Sequence, residues 1–169
     1  MPKSAIFDFD GTLTNLHVDW IELRRTLSIS RISEIWTFSN SKIREAMTVI
    51  SEFERIGLTN ELVVERAKFD SLEQFSVLTN NSEKTVETFF EKINLNSHLP
   101  RLHPKKIVGR ETLLNQKENE STFIRGIQII LESMEVSSRS ECLYIGDQPY
   151  ELNFAKTCGL KAISIESYL

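Results

Sequence analysis

Residues 5–15 read AIFDFDGTLTN. Ala5, Ile6 and Phe7 are apolar and predict a buried β-strand, which ends in a turn at Gly11. Two carboxylates follow the apolar run, Asp8 and Asp10, with Phe9 between them. Residues two apart on an extended chain point the same way, so both acids face one spot. Like charges placed that close repel, and removing either from water is costly unless something compensates. Asp and Gly also make solvated turns. Here, however, the acids continue a hydrophobic strand, which is the pattern of a site that expects a cation.

Outward from this strand the apolar pattern changes character twice. From Leu16 to about Phe75 it is helical: Leu16, Trp20, Leu23 and Leu27 follow a helical stripe, as do Ile43, Met47 and Ile50, and 61–75 predicts one more helix. Beyond it, strands and helices alternate. Strands are predicted at 75–79, 105–109, 142–147 and 161–165, with helices after Ser82, around Phe123–Met134 and at 150–158. Such alternation implies an α/β fold: a Rossmann-like parallel sheet with helices on both faces. The division expected is a core of residues 1–14 and 76–169 and a small inserted helical cap at 15–75. Ligands of open parallel sheets bind beyond the carboxyl ends of the strands. Three predicted ends carry polar groups there: Asp8, Thr79 and Asp147. Gathering Asp8, Asp10 and Asp147 at one edge suits a hard divalent cation such as Mg²⁺, which favours oxygen ligands.

The 169 residues are 40% hydrophobic and 26% charged, an ordinary globular balance. A net charge of −4 and the lack of a Lys/Arg-rich run argue against a nucleic-acid partner. No apolar run approaches a membrane span, and no signal peptide is visible after MPKS, so a cytoplasmic location is expected. Cys142 and Cys158 lack metal-type spacing and read as reduced core thiols. Nothing in the sequence fixes an oligomeric state.

In this order the motifs resemble those of the haloacid dehalogenase superfamily, in particular its phosphoglycolate-phosphatase-like branch with a small helical cap. DFDGTLT (8–14) is similar to the first motif, VLTNNS (77–82) to the second, Lys117 to the third-motif lysine and IGDQPYE (145–151) to the fourth. The resemblance implies a Mg²⁺-dependent phosphatase acting on a small phosphorylated metabolite. Asp8 would be the nucleophile and Asp10 the general acid and base. Mg²⁺ would be held by Asp8, Asp147 and the backbone carbonyl of Asp10. Thr79, Asn80 and Lys117 would face the phosphate, with Gly11 keeping the nearby backbone bare. Glu151 would orient metal-bound water or Lys117. The chain departs from the family pattern at Glu118, where proline is frequent, and at Glu151, where aspartate is usual. Alternatives on the same pattern are phosphotransfer, as in phosphomutases, and a non-enzymatic phosphate-binding regulator. Dehalogenation fits less well, because halide leaves without the proton that Asp10 would supply.

Overall fold

Strand residues that alternate between two faces can seal two cores at once, and the central strand here does so. The computed structural model describes residues 3–95, 100–113, 117, 119–136 and 138–169. Its five strands are β1 (Ser4–Phe7), β2 (Gln74–Leu78), β3 (Ile107–Val108), β4 (Cys142–Gly146) and β5 (Lys161–Ser164). They form one parallel sheet in the order β3-β2-β1-β4-β5. Ala5 and Phe7 point to one face, joined by Val77 and Ile145, and are covered by Val86, Phe89 and Ile93 of α4 (Glu83–Leu95). Ile6 points to the other face with Leu78 and Tyr144, beneath Phe123, Ile127 and Ile130 of α6 (Glu120–Met134). A period-two strand between two helical layers is the α/β architecture that the alternation predicts.

The region before β2 is helical but not uniformly so. It holds α1 (Trp20–Leu27), a 3₁₀ turn at Ile32–Thr37, α2 (Asn40–Ile56) and α3 (Arg66–Asp70). Leu16 is not helical: α1 starts after Asp19, whose carboxylate accepts the Glu22 N–H at 2.9 Å. Leu23, Ile35, Ala46 and Ile50 close a separate small core. Its chain entry and exit meet where the His17 N–H donates to the Gly57 carbonyl at 2.8 Å. A side chain at Gly57 would meet the His17 backbone at 2.7 Å, so only glycine fits that crossing.

The helix predicted over 61–75 is a correction: only α3 is helical there, and β2 already begins at Gln74. The backbone groups find partners elsewhere. Val63 N–H donates to the Leu13 carbonyl, and Glu73 N–H to the Lys3 carbonyl. Leu58, Val64 and Phe69 are buried with the residues of the first sheet face. An extended run that lays these side chains on the sheet wins over local helix propensity.

After β3 come α5 (Arg110–Leu113), α6, β4, α7 (Pro149–Thr157), β5 and α8 (Ile165–Tyr168). Both cysteines are buried and unpaired, as read from their spacing. Among the described residues no helix is long and apolar enough to cross a membrane.

Candidate active site

The strand order determines where a site can form. The chain builds outward from β1 to β2 and β3, then returns to the other side of β1 with β4 and β5. At that reversal the loops leaving β1 and β4 diverge and open a crevice beyond their carboxyl ends. Asp8 is the first residue after β1, Thr79 the first after β2 and Asp147 the first after β4. The Asp8 N–H donates to the Ile145 carbonyl at 2.9 Å, which ties its backbone to β4.

Asp8 is 5% exposed, Lys117 2% and Glu151 1%. The Lys117 ammonium is ion-paired with Asp8, lies 2.8 Å from Glu151 Oε1 and donates to the Leu78 carbonyl at 3.2 Å. Glu151 is engaged at both oxygens: Oε2 accepts from the Tyr144 hydroxyl at 2.7 Å, and Oε1 from Tyr150 at 3.3 Å as well as from Lys117. It therefore holds Lys117 in place. It reaches that lysine from the first turn of α7. Thr12 Oγ1 lies 3.4 Å from Asp8 Oδ2.

Two buried carboxylates share one ammonium here. Burial pushes the Asp8 carboxyl up to about 7; Lys117 pulls it down and Glu151 adds to the rise. Burial works against the charge on Lys117, but Asp8 and Glu151 outweigh it and hold its pKa above the ordinary lysine value. The Asp10 carboxyl is also raised, first by burial and then by Asp147 and Glu54, against the hydrogen bond that it accepts from Leu16 N–H at 2.8 Å.

Gly11 has φ +79°, a left-handed conformation, and its N–H donates to the Thr14 carbonyl at 2.8 Å. A Cβ there would lie 2.8 Å from Asp147 Oδ2, so the glycine leaves room for that carboxylate. Gln148 Nε2 donates to the same oxygen at 2.6 Å. Among the described residues, Asp8, Asp147 and Glu151 offer oxygens within 4.8 Å of one another. The Asp10 side chain is not in that group; it faces the entry to the helical insert through Leu16.

The Thr79 hydroxyl donates to Asn81 Oδ1 at 2.8 Å and accepts the Asn81 N–H at 3.1 Å. Asn80 Oδ1 accepts the Lys117 N–H at 2.7 Å, so Asn80 fixes the backbone that carries the lysine. Glu118 lies outside the described residues.

Two buried residues escaped the sequence reading. Arg110 reads as a solvated helical arginine but is 7% exposed and ion-paired with Glu54 of α2. Glu54 itself is fully buried. The stripe Ile43, Met47, Ile50 continues at helical spacing onto position 54, so a charge there is a readable sign of a buried partner.

No protein-family model matches the sequence, and no curated protein matches it. Solved structures do match the fold. A candidate phosphoglycolate phosphatase from Lactobacillus plantarum superposes with TM-score 0.66 at 14% identity, covering 98% of this chain and 86% of that one. CbbY from Rhodobacter sphaeroides, solved with phosphate, superposes with TM-score 0.62 at 17% identity, covering 97% and 86%. L-2-haloacid dehalogenase from Xanthobacter autotrophicus superposes with TM-score 0.53 at 14% identity, covering 96% and 76%. The chain thus has the fold of the haloacid dehalogenase-like hydrolases. That fold carries more than one chemistry, so the choice between them rests on the site.

Proposed function

We propose that the chain is a Mg²⁺-dependent phosphatase that hydrolyses a small phosphomonoester through an aspartyl-phosphate at Asp8. The observation that carries the reading is the buried Lys117 ammonium held against Asp8 beyond the end of β1, with a second carboxyl group two residues on at Asp10, whose pKa is raised first by burial. The phosphate bound to the Rhodobacter neighbour fits a substrate of that class.

The donor set suits the metal. Among the described residues, three carboxylates offer oxygens within 4.8 Å of one another, beside the Lys117 ammonium. All-oxygen donors with excess negative charge favour a hard divalent cation. Asp8 and Asp147 would hold it with the Asp10 carbonyl, while Glu151 keeps its bonds to Tyr144 and Lys117. When bound, Mg²⁺ supplies positive charge that neutralises phosphoryl oxygens.

The residues divide the remaining work. An Asp8 oxygen attacks phosphorus and the bond to the leaving oxygen breaks, while Asp10 gives that oxygen its proton. Asp10 then takes a proton from water as the water attacks the aspartyl-phosphate, releasing inorganic phosphate and the free Asp8 carboxylate. Splitting one difficult displacement into two eases each. Lys117 orients phosphoryl oxygens, Thr79 joins it once its hydroxyl turns from Asn81 Oδ1 to a phosphoryl oxygen, Asn80 anchors Lys117 and Gly11 keeps the adjoining backbone bare. The helical insert within residues 15–75 acts as a cap that limits substrate size and water access.

The test is release of phosphate from a generic aryl phosphate in the presence of Mg²⁺. A dehalogenase on this fold would have no use for Asp10. Asp10→Asn is therefore expected to lower the rate by about 10²–10⁴-fold, the range for losing a general acid or base. An unchanged rate would count against ester hydrolysis. Chelation is expected to abolish turnover and Mg²⁺ to restore it. Mg²⁺ is also expected to raise the melting temperature of the metal-free protein, because it binds only the assembled carboxylates. Full turnover in excess chelator would remove the metal from the reading.

A further inference from the structure

Glu54 is a charged group with no exposure at all, on a helix of the insert rather than on the sheet. A carboxylate in that position must find partners. Among the described residues, the partners of its carboxylate come from the turn after β2, from α4 and from α5. Oε1 accepts from Asn81 Nδ2 at 3.1 Å and from Arg110 Nη2. Oε2 accepts from Ser82 N–H at 3.0 Å and from Thr85 Oγ1 at 3.3 Å. These partners lead directly to the residues read above as facing the phosphate. The Thr79 hydroxyl donates to Asn81 Oδ1 at 2.8 Å and accepts the Asn81 N–H at 3.1 Å, so Asn81 holds the Thr79 side chain at the end of β2 until a phosphoryl oxygen replaces Oδ1 as the acceptor. Arg110 Nε donates to the Asn80 carbonyl at 3.0 Å, and Asn80 Oδ1 accepts the Lys117 N–H at 2.7 Å.

We propose that Glu54 is a positioning residue for the phosphate site, acting through Asn81 on Thr79 and through Arg110 and Asn80 on Lys117. The proposal rests on the reading of Thr79 and Lys117 as phosphate-facing groups. One carboxylate from the insert thereby fixes both sides of the phosphate cradle. Packing alone would hold α2 in place, and an apolar residue at 54 would serve it. Four converging donors on one buried anion instead define an orientation, because each hydrogen bond to a charged group is directional and strong. The insert then has a second task besides covering the crevice: its docked position sets the geometry of the cradle.

The Lys117 amide separates positioning from mere support, since it bonds to Asn80 and not to Glu54. In Glu54→Gln, residue-resolved amide exchange is expected to speed up by about tenfold or more at both Ser82 and Lys117. The Asp8 amide, bonded to Ile145 in the sheet, should keep its wild-type rate. Inorganic phosphate, used as the probe in the presence of Mg²⁺, should bind at least about fivefold more weakly, as loss of preorganisation requires. Arg110→Lys provides a second variant if Glu54→Gln folds poorly. It keeps a cation for Glu54 but lacks the Nε donor to Asn80, so Lys117 exchange should rise while α2 amides stay protected. If either folded variant loosens only α2 and leaves the Lys117 amide at its wild-type rate, the proposal is overturned. If wild-type protein binds no phosphate, the reading of the site falls, and the Lys117 amide still decides whether Glu54 positions it.

Discussion

Asp8→Asn is expected to bring phosphate release down to background, a loss of roughly 10⁴-fold or more, as for other nucleophiles removed from a covalent mechanism. The amide keeps the shape of the carboxylate and has no charge with which to attack phosphorus. The fold should survive, and the argument is electrostatic. Asp8 and Glu151 share one ammonium, and Lys117 keeps its 2.8 Å contact with Glu151 when Asp8 is neutralised. Burial raises the folded-state pKa of Asp8 to about 7, above the carboxyl value of an unfolded chain. The folded protein therefore binds that proton more tightly than the unfolded one. The stability Asp8 contributes is fully present below the ordinary carboxyl range and is lost as pH rises through about 7. Asparagine does not titrate, so metal-free Asp8→Asn should melt at or above the wild-type temperature at pH 8, with less advantage toward pH 5. Melting curves at the two pH values without divalent cations measure this. Turnover near the wild-type rate would rule out the covalent route, whereas collapse of the fold would make Asp8 a structural residue.

The parts of this site that a reader of the sequence can find are those tied to the period of a strand. Asp8 and Asp147 each end an apolar run, and a parallel sheet gathers strand ends at one edge whatever the loops do. The same regularity makes Ile6 and Phe7 legible as residues of opposite cores. Lys117 is found by resemblance rather than by period, since it lies in a connection and nothing local says where its ammonium goes.

The misread parts depend on long-range partners. Residues 61–75 carry a good helical pattern, yet Val63 and Glu73 bond to carbonyls of residues 13 and 3. Those carbonyls are remote in sequence, so no local rule could reveal them. Arg110 looks like any helical arginine until Glu54, 56 positions earlier, is placed beside it. Glu54 was the better clue of the two, because a charge that occupies the next place in a buried stripe demands a counter-charge. Tyr144 shows the same limit on a smaller scale. It reads as a strand residue, and only the turn of α7 brings Glu151 within 2.7 Å of its hydroxyl.

Lys117→Ala is expected to cost both activity and stability, and the two losses can be separated. The ammonium is the cation shared by Asp8 and Glu151, and all three side chains are buried. Removing one member of such a group leaves uncompensated charge and destabilises by roughly 3–5 kcal/mol. Turnover should fall by about 10²–10³-fold, the scale for losing one electrostatic contact to a developing charge. Lys105 and Lys106 provide the contrast: both are exposed and precede β3, at the opposite end of the sheet from Asp8. Lys105→Ala and Lys106→Ala should stay near wild type in rate and within about 0.5 kcal/mol in stability. A double variant then decides what the lysine is for. Lys117→Met with Glu151→Gln removes one cation and one anion together, so much of the lost stability should return. Turnover should not return with it, because no ammonium would remain to meet the phosphoryl oxygens. If the double variant recovers its rate along with its melting temperature, Lys117 is only a counter-ion for Asp8 and Glu151. In that case its place in the phosphate cradle is wrong.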